Sequence, residues 1–165
     1  MNVFNCFSLT CVLVLLVGCE TTPAPVVGAT GLAEQARIGT NYGGGIIFFI
    51  DKTGKHGLIA APVDQGAGDW YSALRLCADY RGGGYSDWIM PSISQLHALY
   101  QRKDAVGPFS TNPSIYWSST QGAGGAEYSG VWIHDFPPYG GAPSEHASPA
   151  SGTNNFNHVR AIRAF

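Results

Sequence analysis

The chain has 165 residues, of which 12% are charged and 22 are glycine, and its formal net charge is −2. That balance excludes a global attraction to nucleic acid or to anionic lipid, because no surplus of cationic side chains is available to meet phosphates. The charged share is about half that of an ordinary soluble chain, so amides, hydroxyls and bare backbone must solvate most of the surface.

Residues 9–17 form an apolar run that leads into Leu16-Val17-Gly18-Cys19. The run has the length of a signal-peptide apolar segment and falls well short of the roughly 20 apolar residues a bilayer span requires. Its end resembles the lipobox of bacterial lipoprotein signals, where a small residue lets the peptidase reach the backbone and the cysteine thiol accepts a diacylglycerol. The resemblance implies a lipoprotein signal peptide over residues 1–18, lipidation at Cys19, and a membrane partner through that anchor. Glu20 stands where inner-membrane retention signals carry aspartate, which points to the cell envelope with the outer membrane favoured. Residues 19–36 mix Pro, Thr, Gly and Ala without a period and read as a flexible tether. Residues 37–165 then form one domain, long enough to bury about two-thirds of its unfolded surface. Cys6 and Cys11 fall in the leader, so Cys77 is the one cysteine left in the domain. An internal disulfide is excluded there.

Gly45–Asp51 (Gly-Ile-Ile-Phe-Phe-Ile-Asp) is apolar on both faces and reads as a buried strand. The turn signal Lys52-Thr53-Gly54-Lys55 pairs it with a second strand over residues 57–61. From Trp70 to Tyr80, the positions Ala73, Leu76, Cys77 and Tyr80 recur at helical spacing, and Gly82-Gly83-Gly84 stops that helix. Cys77 on this stripe reads as a small buried hydrophobe rather than a reactive thiol. Asp87–Pro91 is extended, since the residue before proline avoids the α region. Ser92 or Ser94 caps a second helix carrying Leu96, Leu99 and Tyr100. Ile115–Ser119 and Tyr128–Asp135 read as strands, residues 136–156 as one long irregular loop, and His158–Phe165 as a final strand with a bulge or with both faces covered. The order β-β-α-α-β-β-β predicts an α+β domain with two helices beside a twisted antiparallel sheet and long irregular loops.

A series of landmarks, Gly44–Asp51, His56–Gln65, Trp70, Gly83–Ser92, Tyr116–Thr120 and Val159–Arg163, resembles the Lcl C-terminal-domain family, named after a collagen-like adhesin and spanning about residues 43–165 here. The family's Asp-Trp-Arg-Leu-Pro-Thr appears as Asp87-Trp88-Ile89-Met90-Pro91-Ser92, with isoleucine in place of the arginine. The resemblance implies a C-type-lectin-like superfold, with first and last strands joined, and a surface protein that binds glycosaminoglycan-type ligands.

Chemistry-bearing constellations are sparse. The five histidines form no His-x-x-x-His pair, and no Cys-x-x-Cys occurs, so neither a metal nor any other cofactor is expected. Ser118-Ser119 lacks a Gly-x-Ser-x-Gly elbow, and the chain reads as no enzyme. Most tryptophans, Trp88 and Trp117 above all, read as core. Arg160 and Arg163 read as structural, and Arg102-Lys103 as solvated. The ligand-binding material falls at the long loop: Phe136 and Tyr139 as aromatic platforms, with Asp135, Asn154 and Asn155 supplying oxygens. The expected function is non-catalytic binding of a glycan or another surface ligand. The alternatives are a structural or assembly role in the envelope, or an enzyme on the same fold. No nucleic-acid partner is expected.

Overall fold

A computed structural model describes residues 37–122, 130–137 and 156–165, and the backbone of 145–149. Cys19, Tyr139, Asn154, Asn155, the leader and the tether lie outside the described residues. The fold is mixed α+β, with three α-helices and two sheets among the described residues.

The first sheet runs β1 (Asn41–Tyr42), β2 (Gly45–Ile50), β3 (Gly57–Ala60) and β9 (Ile162–Ala164), all antiparallel. The second runs β4 (Gly66–Gly68), β8 (Asn157–Val159), β5 (Ile115–Gln121), β6 (Gly130–Asp135) and β7 (Glu145–Pro149), with β5 and β8 parallel through Tyr116 and His158. Helix α1 (Trp70–Asp79) packs on one side, and α2 (Ile93–Tyr100) with the short α3 (Lys103–Val106) on the other.

Adjacent residues of β2 and β5 show why these strands are apolar throughout. Ile47 and Trp117 join the core on the α1 side with Ala73, Cys77 and Trp88. Their neighbours Phe48 and Tyr116 join the α2 side with Leu96, Leu99 and Val106. A strand covered on both faces loses the polar alternation of a half-exposed one. A bulge between Ile47 and Phe49 turns Phe49 outward, where it is 45% exposed.

Asp69 caps α1 by accepting from the Ser72 amide at 2.7 Å. Ser92, rather than Ser94, caps α2, in a capping box with Gln95. Cys77 is fully buried, and desolvation pushes its thiol up to about 12. Trp88 and Trp117 are 2% and 0% exposed, and their indole N–H groups donate to the Gly82 and Gly68 carbonyls.

Three expectations are corrected. The stretch 136–156 is not one irregular loop, because β7 pairs with β6 inside it. The C-terminal segment is not one strand: it changes sheets at Arg160-Ala161, where the Ala161 amide donates to the Gln65 side chain and the Ala161 carbonyl accepts from Ala61. A third helix, α3, follows directly on α2. Ile89 exchanges both backbone hydrogen bonds with Ile162 and leaves its side chain 53% exposed. The core therefore does not depend on which side chain stands at 89. No helix among the described residues is long and apolar enough to cross a membrane.

Candidate functional site

Of the residues the sequence pointed to, Asp135 and Phe136 fall in the described part, at the end of β6. The Ser114 hydroxyl donates to Asp135, which ties that carboxylate to the strand β5 side. Phe136 is 2% exposed and packs on Phe109, Tyr116, Tyr100 and His134, with ring centroids 4.7–5.2 Å apart. It is a core residue, which corrects its reading as a platform: the ring is worth more buried among aromatics than exposed beside the prolines.

What opens beside Phe136 is a recess of about 310 Å³, lined by Lys103 and Asp104 of α3, by Pro108, Phe109, Ser110 and Thr111 of the segment after it, and by Phe136 itself. The Lys103 ammonium stands 5.0 Å from the centre of the Tyr100 ring and donates to the Pro137 carbonyl at 2.9 Å. Its long side chain is thereby fixed at the recess, not simply solvated as the sequence suggested.

The 107–111 segment has no secondary structure of its own and is held from below. The Ser110 amide donates to the Tyr116 hydroxyl oxygen at 2.6 Å, and Arg160 donates through Nη2 to the Pro108 carbonyl. Tyr116 in turn donates to Asp64 Oδ2 at 2.7 Å, while Arg160 Nε donates to Asp64 Oδ1 at 2.6 Å and Nη1 to the Ala61 carbonyl at 3.0 Å. The guanidinium also lies 4.2 Å from the Phe109 ring centre. Arg160 is completely buried, so its charge is supportable only because Asp64 neutralises it and two carbonyls take further N–H groups. Burial, and then the neighbouring Asp64 charge, hold the Tyr116 phenol well above its ordinary value. It stays a neutral donor to the carboxylate and a neutral acceptor from Ser110. His158 on β8 brings Nδ1 to 3.8 Å from the same carboxylate.

Comparison with family models and with curated proteins finds no match for this chain.

The recess offers a mixed surface. It combines aromatic and proline surface with two hydroxyls, one ammonium and one carboxylate. Ser118, which could have served as a nucleophile, is fully buried and its hydroxyl donates to the Trp132 carbonyl at 2.7 Å. Among the described residues no three of His, Cys, Asp and Glu come together as a metal site. The recess residues were missed in sequence because they belong to a proline-flanked loop with no period. The one available signal was the density of turn formers from Gly107 to Pro113.

Proposed function

We propose that this chain is a lipid-anchored protein of a bacterial cell envelope whose 37–165 domain captures a glycan, or another ligand of a surface, without catalysis. We assign the domain a C-type-lectin-like architecture of the Lcl C-terminal kind. Its support is the pairing of the last strand, β9, with β3 near the start of the domain, together with helices on both sides of the sheets. The observation that carries the binding reading is the recess. Pro108 and Phe109 offer apolar surface for the C–H face of a sugar ring, while Ser110, Thr111, Lys103 and Asp104 surround it with donors and acceptors. The buried ties to Tyr116 and Arg160 pre-organise that loop, so binding forfeits little conformational freedom.

A glycan and heparin array probed with the full chain tests this, alongside Thr111→Trp, which fills the recess from an exposed position. Saturable binding that Thr111→Trp abolishes is the expected outcome. An array without binders would leave the domain an assembly component and end the binding reading. The anchor is tested separately. Three acyl chains on a lipoprotein cysteine hold a protein firmly, whereas a single chain binds only marginally. Cys19→Ala should therefore abolish incorporation of labelled palmitate and release the protein from membranes, and a variant still retained there would refute the lipobox.

A further inference from the structure

Two triglycine runs meet on the far chain ends of the first sheet and of α1: Gly43-Gly44-Gly45 leading into β2, and Gly82-Gly83-Gly84 after the helix. A Cβ on Gly44 would stand 2.6 Å from the Gly82 carbonyl oxygen, and one on Gly83 would stand 2.4 Å from the Gly44 Cα. Both residues have positive φ, 84° and 64°. Only glycine allows this backbone conformation and this approach together.

Each run carries a tyrosine at its outer end, Tyr42 before the first and Tyr85 after the second, 36% and 41% exposed. Both rings are fixed. Tyr42 packs edge-on against Phe165 at 5.2 Å between centroids, and the Arg163 guanidinium lies 3.7 Å from the centre of the Tyr85 ring. Arg163 also donates to the Gly43 carbonyl at 3.3 Å, which joins the two runs. Its charge is matched by Asp87, through Nε to Oδ1 at 2.8 Å and Nη2 to Oδ2 at 3.0 Å. The Asp87 side chain remains 57% exposed. Beside Tyr42 lies a depression of about 290 Å³ with a floor of glycine backbone, bounded by Asn41 and Pro62.

We propose that the surface joined by Arg163, with Tyr85 and Asp87 on one side and Tyr42 with its depression on the other, is a second binding site, for a neutral pyranose. The ligand class follows from the charges. Arg163 already occupies one face of Tyr85, so a cation gains little from the other. Asp87 and Arg163 neutralise each other, so an anion finds no free positive charge here either, while the remaining carboxylate lone pairs accept from sugar hydroxyls. The rings offer stacking surface, and because they are held before the ligand arrives, stacking costs little side-chain entropy. This site does not rest on the recess being a binding site.

The test is an NMR titration of the full chain, following the ring resonances of Tyr42 and Tyr85. The probes are the methyl glycosides of glucose, galactose, mannose and N-acetylglucosamine, with glucosamine and glucuronate as charged controls. At least one neutral glycoside should shift both tyrosines saturably, with the charged sugars several-fold weaker. Tyr85→Ala should abolish the Tyr42 shift, Tyr85→Phe should keep it, and Thr111→Trp, which closes the recess, should leave both tyrosine shifts in place. Tyr42→Ala, read at Tyr85, repeats the test should Tyr85→Ala lose its native amide dispersion. The proposal is overturned if no neutral glycoside moves these rings, if the charged sugars bind as well, or if the shift survives removal of the partner tyrosine.

Discussion

Arg160 and Arg163 stand three residues apart at the end of the chain, each paired with an aspartate and each lying over an aromatic ring, yet they support two different regions. Arg160 is wholly buried between the sheets, its partner Asp64 is 16% exposed, and its remaining N–H groups go to carbonyls of two chain segments. Arg163 is also buried, at 8% exposure, but its partner Asp87 stands at the surface and is 57% exposed. The contacts are nearly the same, and the exposure of the two carboxylates is not. A carboxylate left alone in the interior becomes a large liability, whereas one left at the surface rehydrates when its pair is broken. The interior arginine therefore builds rigidity under the recess, and the outer one arranges a surface.

The largest effect should come from Arg160→Met, which leaves the Asp64 carboxylate without its counter-charge and removes two carbonyl ties. Breaking a buried pair on one side costs about 3–5 kcal/mol, measured by urea unfolding. Asp64→Asn combined with Arg160→Met should recover part of that loss, since the orphaned charge is then gone. If Arg160→Met unfolds at the wild-type midpoint, the buried hub has no energetic role.

Trp88→Ala should come close behind. Trp88 is buried beneath the rim and donates to the Gly82 carbonyl, so its loss removes packing and the support of the second glycine run together. Truncating a buried tryptophan costs about 3–5 kcal/mol. It should also broaden the Tyr85 ring signals, because the glycine run that carries Tyr85 loses its support.

Arg163→Met is expected to cost less than Arg160→Met, because the Asp87 carboxylate it leaves behind is 57% exposed and rehydrates. Its pH dependence has a definite sign. The Arg163 hydrogen bonds hold the Asp87 carboxyl below its ordinary 3.8. The pair therefore contributes fully above that value and is lost as pH falls below it, through the lowered folded-state value. In wild type the Tyr85 ring should loosen only in that acidic window. Loss of the contact near neutral pH would contradict the pairing.

The smallest effect belongs to Cys77. With its thiol pushed up to about 12 by burial, it should ignore a thiol reagent in the native state and react only with denaturant. The measurement uses a chain whose Cys6, Cys11 and Cys19 are replaced by serine. Rapid native labelling would mean that the α1 face of the core opens.

The same contrast explains what could be read from sequence. The Gly45–Asp51 strand, the Ala73–Cys77 stripe and a serine cap at 92 or 94 were legible because each is fixed by neighbours within one element, and the core tryptophans because a large apolar ring favours burial. The structural reading of both arginines also holds. Their separate environments were not legible, because Arg160 meets Asp64 across 96 positions and Arg163 meets Asp87 across 76. The change of sheet at Arg160-Ala161 depends on Gln65, equally remote in the chain. β4 reads Gly-Ala-Gly and offers no side-chain period at all. The recess escaped for a related reason: its loop takes its shape from Tyr116 and Arg160, not from its own residues.

That last dependence is the central one, and amide hydrogen exchange at Ser110 measures it directly. The Ser110 N–H donates to the Tyr116 hydroxyl oxygen at 2.6 Å, so in the wild-type chain it should be protected although its segment has no secondary structure. Tyr116→Phe should strip that protection, and Arg163→Met should leave it unchanged. A Ser110 amide that exchanges freely in wild type, or that responds equally to both substitutions, would show that the recess loop is not held by the buried hub.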